Sequence, residues 1–188
     1  GVDILITAPQ KGWSGSPATG YVMFSEDGRA QLDNTTSDSF AMDLAKWTAI
    51  SEGYVDGTAA YHATLPTDTI AHNLELMKEA KEIGLDELTK RQVELGTKVR
   101  ELLAEKGYVS VAAPGFEATS IVVMHATAPE QATGAAFKQA GIQIAGGVPL
   151  QIGEPESFST FRIGLFGLDK WADVDGTVAR FAEALGRV

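Results

Sequence analysis

The sequence contains no cysteine in its 188 residues. Disulfide bonds, thiolate metal sites and cysteine nucleophiles are therefore excluded together. The three histidines (His62, His72 and His125) are scattered, and no two of them have the spacing of paired metal ligands. The sequence thus predicts no metal site. The lack of thiols fits a reducing compartment, so a cytoplasmic location is expected.

Basic residues and long apolar runs are also scarce. Lys and Arg total 15 against 25 Asp and Glu, so the formal net charge is −10. A chain this acidic lacks the positive surface that nucleic acids and anionic membranes attract. No apolar run approaches the roughly 18 residues of a membrane-spanning helix, and no signal-peptide pattern is present. The composition that remains, 44% hydrophobic and 21% charged, is that of a globular protein with a real core.

The chain opens on an apolar segment, Ile4-Leu5-Ile6, with no initiator methionine before it. An uninterrupted apolar run is typical of a buried strand in a parallel sheet, and such a strand needs neighbouring strands. We therefore expect the sequence to begin inside a larger α/β protein.

The remaining pattern predicts two regions that differ in the order of their helices and strands. Before residue 84 it predicts strands at 3–7 and 20–24, a Gly-, Ser- and Pro-rich loop at 8–19, polar turns at 25–39, and helices at 40–53 and 67–83. From residue 84 onward it predicts helices at 85–106, 130–140 and 174–185, with short strands at 109–112, 121–125, 142–145 and 160–165. The order indicates an α/β fold class: the tail of an α/β unit over residues 1–83, then a small α+β domain over residues 84–188.

Lys11 is the only charged residue between Asp3 and Glu26. It follows a predicted strand in a loop of small residues, and ligand sites form in such strand-end loops of α/β sheets. A lysine amine held there is suited to Schiff-base chemistry. An ordinary exposed loop lysine is the alternative, because lysine is almost never fully buried.

Arg162 is likewise the only charged residue between Glu156 and Asp169, and it lies inside a strand pattern. A buried arginine needs an anion, which a ligand carboxylate or phosphate can supply through two parallel hydrogen bonds. The alternative is an arginine at a strand edge whose head group reaches water. The residue pattern alone leaves both interpretations open.

Two further features are weaker. Tyr61 and Thr64 carry hydroxyl groups just before a predicted helix, an arrangement that can hold an anion, although Thr64 could equally be a helix cap. Gly146-Gly147 ordinarily marks a turn.

Four segments together resemble the class V aminotransferases, a branch of the fold-type I pyridoxal-phosphate (PLP) enzymes. The closest resemblance is to the alanine–glyoxylate and serine–pyruvate aminotransferases. In order, the segments are residues 7–12 with the cofactor lysine, 61–66 with a Tyr-His-x-Thr phosphate motif, 144–147 with a Gly-Gly turn, and 161–167 with the substrate arginine. The resemblance spans nearly the whole chain and favours the functional interpretation of both Lys11 and Arg162.

The resemblance implies a role for each matching residue. Lys11 would carry PLP as a Schiff base and then move the proton between the substrate Cα and the cofactor. Gln10 would help to hold the cofactor, and Tyr61 and Thr64 would reach its phosphate from across a homodimer interface. Arg162 would bind the α-carboxylate of a small amino acid or a 2-oxo acid.

The resemblance also implies that part of the site is missing from these residues. In this family the phosphate-binding turn, the aromatic side chain that stacks on the cofactor ring and the acid at its pyridine nitrogen lie upstream of the lysine, and Asp3 is too close to Lys11 to be that acid. The chain therefore resembles the C-terminal half of the enzyme. It would comprise the end of the large PLP-binding domain (1–83) and the small domain (84–188), and would be inactive alone.

Other functions stay open at this point. Sulfur transfer on the same scaffold is disfavoured, because those enzymes use a catalytic cysteine. A lyase reaction is harder to separate from transamination, since the reaction type depends on details of the site. A non-catalytic fragment or interaction module is the alternative from another class.

Overall fold

The computed structural model describes residues 1–188, which divide into two compact units. Unit 1 comprises Gly1–Gln10 and Gly15–Glu75, and unit 2 comprises Lys11–Ser14 and Leu76–Val188. The predicted domain boundary after residue 83 stays a prediction. None of the helices has the length and apolar character needed to span a bilayer.

Unit 1 contains a two-stranded antiparallel sheet. Strand β1 (Ile4–Thr7) pairs with β2 (Tyr21–Phe24), with Ile4 opposite Phe24 and Thr7 opposite Tyr21. Both strands were predicted in place. Their pairing is antiparallel, and the burial of β1 within the sheet of a larger α/β protein stays a prediction. The sheet ends at two strands, so β1 is an edge strand and its apolar side chains are exposed.

The segment predicted as polar turns contains a helix, α1 (Glu26–Leu32). Ser25 Oγ accepts a hydrogen bond from Gly28 N at 3.1 Å, and Glu26 and Asp27 place negative charge in the first turn, where the helix dipole favours it. At seven residues, with a glycine inside, α1 is too short for an apolar period to reveal it.

The next helix, α2 (Leu44–Val55), starts later than the predicted residue 40. The Asp43 carboxylate accepts a hydrogen bond from Lys46 N at 3.0 Å, so Asp43 is the N-cap. Phe40 therefore precedes the helix, where its ring is 66% exposed, instead of beginning the apolar face.

Helix α3 (Thr67–Ile83) has the predicted bounds, and it carries the buried polar residue Asn73. Asn73 Oδ1 accepts from Ser16 N at 2.8 Å, and Asn73 Nδ2 donates to Ser16 O at 3.1 Å. One side chain thereby satisfies both backbone groups of a residue in the loop between β1 and β2. Asn73 anchors that loop to α3.

Replacing Asn73 by alanine is expected to lower the free energy of unfolding by about 1–3 kcal/mol, because it leaves the Ser16 N–H and C=O without their partner. Denaturant unfolding followed by circular dichroism measures this. Asn34→Ala is the matched control, since Asn34 is exposed and its side chain donates only to Ala30 O. Equal effects of the two substitutions would contradict the anchoring role.

Unit 2 is built on a three-stranded antiparallel sheet. The strand order is β3 (Ile121–His125), β5 (Thr160–Gly164), β4 (Ala145–Gly146), with β5 in the centre. The helices that begin in this unit are α4 (Leu85–Glu105), α5 (Pro129–Ala132), α6 (Ala135–Gln139), α7 (Leu168–Trp171) and α8 (Val174–Leu185).

The core of unit 2 follows from the period of α4. Leu95, Val99 and Leu103 recur every fourth residue and are at most 1% exposed. They belong to one buried cluster with the inward residues of the sheet, among them Val122 and Phe161. Beyond the helix, the φ of +87° at Gly107 confirms the predicted glycine stop.

Three predictions in unit 2 need correction, and one short helix was not predicted. Residues 109–112 form only an isolated bridge between Ser110 and Met124, and the strand predicted at 142–145 is reduced to β4. The helix predicted over 130–140 is split into α5 and α6, because Gly134 lies between them at φ +81°. Helix α7 was not predicted, since four residues are too few to show a period.

Candidate functional site

Lys11 lies in a turn that follows β1, and its side chain is exposed. Ser14 N donates to Lys11 O at 3.0 Å, which closes the turn on its C-terminal side. The neighbouring candidate Gln10 is also exposed. The lysine amine is therefore accessible to a ligand.

The turn of Lys11 is bonded to a distant part of unit 2. Ser14 Oγ accepts a hydrogen bond from Leu168 N at 2.6 Å, although 154 positions separate the two residues. Leu168 begins α7, directly after the segment that continues from β5. This bond links the lysine turn to the end of the strand that carries Arg162. Sequence reasoning missed Ser14, and no local pattern marks it.

Arg162 occupies the middle of the central strand β5, opposite Val123 on one side and Ala145 on the other. It is therefore not at a strand edge. Because side chains alternate along a strand, Phe161 and Ile163 enter the core while Arg162 lies on the opposite face, half-buried.

The guanidinium of Arg162 is held by one hydrogen bond, from Nε to Gly146 O at 2.8 Å. This bond fixes the plane of the group and does not use the two terminal nitrogens. A guanidinium presented in this way can grip a carboxylate with two parallel hydrogen bonds.

Gly146 ends β4 and Gly147 follows it, so the predicted Gly-Gly turn is not formed here, and Gly147 lies too close to β5 for a side chain. A Cβ at position 147 would lie 2.2 Å from both Thr160 O and Thr160 Oγ1. The backbone of β4 therefore approaches β5 as closely as glycine allows, and this approach places Gly146 O beside Arg162.

Gly147→Ala is expected to lower the free energy of unfolding by about 1–3 kcal/mol, because β4 must move away from a backbone carbonyl. Thermal or denaturant unfolding checks this. Gly20→Ala is the matched control: a Cβ at Gly20 meets nothing closer than 4.0 Å, so its effect should stay within about 0.5 kcal/mol. A tolerated Gly147→Ala would show that this segment can relax.

The loop between β4 and β5 is tied internally by Glu154. Its carboxylate accepts hydrogen bonds from Gln151 N at 2.7 Å and Ile152 N at 2.9 Å. These backbone hydrogen bonds, Gln151 first, lower the pKa of Glu154 to about 2. Because the pKa of Glu154 is lower in the folded state, its contribution to stability is complete above the ordinary pKa of 4.5 and is lost progressively as pH falls from there toward 2.

Tyr61 and Thr64 lie together in unit 1. The Tyr61 hydroxyl and Thr64 Oγ1 are 3.4 Å apart, and both residues are exposed. They line a shallow pocket of about 540 Å³ with Tyr54 and Ile70. Two adjacent hydroxyls on one rim form a pair of donors suited to an anion such as phosphate.

His62 secures the segment that carries these hydroxyls. Its Nε2 lies 2.8 Å from Phe40 O, and its ring centroid lies 4.2 Å from that of Phe40 and 5.0 Å from that of Trp47. Trp47 Nε1 donates to the adjacent carbonyl, Ala41 O, at 2.9 Å. The sequence pattern does not predict this anchoring contact of His62.

The predicted site residues thus fall in two groups. Lys11 and Arg162 belong to unit 2, where the Ser14–Leu168 bond relates their segments. Gln10, Tyr61 and Thr64 belong to unit 1. The assignment of all five residues to one site stays a prediction.

Several solved structures similar to this chain are aminotransferases. The alanine–glyoxylate aminotransferase of Nostoc sp. matches with a TM-score of 0.79 and 18% identity over 98% of this chain and 47% of that one. The ureidoglycine–glyoxylate aminotransferase of Bacillus subtilis matches with a TM-score of 0.75 and 18% identity, over 99% and 47%. A subgroup IV aspartate aminotransferase of Thermus thermophilus matches with a TM-score of 0.73 and 21% identity, over 100% and 50%.

The similarity lies in the structure and not in the overall sequence. No protein-family model matches the sequence, and no curated protein matches it. The chain spans about half the length of the similar structures. It therefore has the fold of the PLP-dependent aminotransferases, which its four motifs predicted.

Proposed function

We propose that this chain forms part of a PLP-dependent aminotransferase that moves an amino group between a small amino acid and a 2-oxo acid. One observation carries the proposal. On an aminotransferase fold, the Ser14–Leu168 hydrogen bond ties the turn of an exposed lysine to the strand of an arginine whose terminal nitrogens can take a carboxylate. The reaction needs a reactive amine and a group that binds a carboxylate, and unit 2 carries a candidate for each.

The residues present fit PLP at the positions where their chemistry can be judged. Lys11 offers a primary amine for the cofactor aldehyde, and the paired hydroxyls of Tyr61 and Thr64 suit its phosphate. Gln10 adds an amide beside the lysine. When bound, PLP supplies the electron sink for the reaction at the substrate Cα.

The side chains divide the remaining work. Arg162 binds the substrate carboxylate and, through its fixed plane, orients the Cα–H bond toward the amine. Lys11 would hold the amine that takes the proton from the substrate Cα, as a positioned general acid and base.

The proposal includes groups that these residues do not supply. The chain spans about half the length of the similar structures, and we infer that the contacts to the cofactor ring come from residues outside it. We also infer a homodimer whose partner subunit shares the phosphate contacts, and a cytoplasmic location. Residues 1–188 alone are then inactive.

Trapping of PLP tests the proposal. The protein at its full natural length is incubated with PLP, reduced with borohydride and mapped by peptide mass spectrometry, beside residues 1–188 alone. For the protein at its full natural length, the expected result is one reduced adduct, on Lys11. Lys46 is the internal control, because it is an exposed helix lysine that should remain unlabelled. No adduct, or equal labelling of both lysines, would overturn the proposal.

A further inference from the structure

Ser14 has an unusual backbone conformation for its residue type. Its φ is +61°, in the left-handed region of backbone conformation. Residues other than glycine, asparagine and aspartate seldom adopt this region. Gln151 is the one other non-glycine residue with positive φ. A residue held in this region costs free energy, so the surrounding structure must hold it there.

Two hydrogen bonds hold Ser14 in place. Its backbone N–H closes the turn on Lys11 O at 3.0 Å, and its Oγ accepts from Leu168 N at 2.6 Å. The first N–H groups of a helix have no partner within the helix, and Ser14 supplies one for α7 from a distant part of the chain.

The corner that receives Ser14 is also specialised. Gly167, just before Leu168, has φ +122°, and a Cβ there would lie 3.4 Å from Ser14 Oγ and 2.7 Å from Asp169 Oδ1. The corner thus turns sharply between the end of β5 and α7, and it leaves room for the serine hydroxyl.

We propose that Ser14 is a positioning residue, which sets the distance between the amine of Lys11 and the carboxylate held by Arg162. This inference rests on the proposed function. Lys11 is three residues from Ser14, and Arg162 is six residues from Leu168, so a single hydrogen bond connects the segments that carry the two side chains. Misplacing a catalytic group by about 1 Å can cost about 100-fold in rate.

The test separates the hydroxyl from the backbone conformation. Ser14→Gly removes Oγ but adopts φ +61° without strain, whereas Ser14→Asn keeps a side-chain acceptor and also tolerates that φ. Gln151→Gly is the matched control, because it relieves the same φ at a residue with no link to Lys11. Leu168→Pro removes the donor instead, at a first helical position where the proline backbone is tolerated; because Leu168 is also buried in the core, the melting temperature of this variant is measured beside its kinetics.

Steady-state kinetics on the protein at its full natural length, loaded with PLP, give the decisive measurement. We expect Ser14→Gly and Leu168→Pro to lower kcat about tenfold with KM changed less than about threefold, and Ser14→Asn to recover part of the loss. Gln151→Gly should retain the kcat of the unsubstituted protein. If Ser14 had a purely structural role, these substitutions would lower the melting temperature, and kcat measured below the melting temperature would be unchanged.

The outcomes distinguish this inference from the function on which it rests. If PLP attaches to Lys11 and Ser14→Gly keeps kcat within about twofold, the inference is overturned and the proposed function stands. If one of the two hydrogen-bond variants does not fold, the other decides the result from the opposite partner of the same bond. If the unsubstituted protein forms no adduct, both the function and the inference are overturned.

Discussion

Replacing Lys11 by alanine is expected to reduce the rate of transamination by about 10⁴-fold. The substitution removes the amine that holds the cofactor and also the group that moves the substrate proton, and a general acid–base alone contributes about 10²–10⁴-fold. Single-turnover reaction of the PLP-loaded protein with a small amino acid, followed through the visible absorbance of PLP, measures the change.

Lys46→Ala is the matched control for this experiment. Lys46 lies on the exposed side of α2, so its loss should leave the rate unchanged. Because Lys11 is exposed, Lys11→Ala should keep the unfolding free energy within about 0.5 kcal/mol of the original value. A Lys11→Ala protein that still transaminates would place the reactive amine elsewhere.

Replacing Arg162 by glutamine is expected to raise KM for amino acid and 2-oxo acid by at least about 100-fold. Two charge-assisted hydrogen bonds to the carboxylate are lost, each worth about 1.5–3 kcal/mol, and 1.4 kcal/mol is a factor of ten. Arg162→Lys should rescue little, because an ammonium cannot both reproduce the fork and donate sideways to Gly146 O.

Two controls make the effect of Arg162 specific. Arg180→Gln should be silent, since Arg180 is exposed on α8. A primary amine without a carboxylate should react equally slowly with the original and the Arg162→Gln protein. If that amine loses rate as strongly as the amino acid does, Arg162 supports the structure and does not bind the carboxylate.

The sequence predicted the elements that have a long apolar period. Helices α3, α4 and α8 have close to their predicted bounds, because each repeats apolar residues over three or more turns of sequence, although Ile70 and Leu74 on the predicted apolar face of α3 are exposed. The exposure of the apolar side chains of β1 within residues 1–188 was not predictable. The same apolar run fits a strand that is buried between neighbours and a strand that lies exposed at a sheet edge. Whether a run is covered depends on neighbouring strands, which the run itself does not encode.

The site divides in the same way. An isolated cation in a segment of small or apolar residues identified Lys11 and Arg162, because charge is scarce around both. Ser14 could not be found by that route, since its role depends on a positive φ and on a partner 154 positions away. His62 stood inside a quoted motif, but its ring contacts with Phe40 and Trp47 come from residues brought together by folding.

The assignment of residues 11–14 to unit 2 bears on how such a protein can evolve. The chain passes from one unit to the other three times, after Gln10, Ser14 and Glu75. A gene segment encoding only residues 76–188 would lack the hydroxyl that accepts the Leu168 N–H. Recombination at the boundary after Glu75 would therefore separate the turn that contains Lys11 and Ser14 from Leu168, to which Ser14 is hydrogen-bonded. The two units are expected to be inherited together, and a shuffled hybrid would need Ser14 and Leu168 from the same parent.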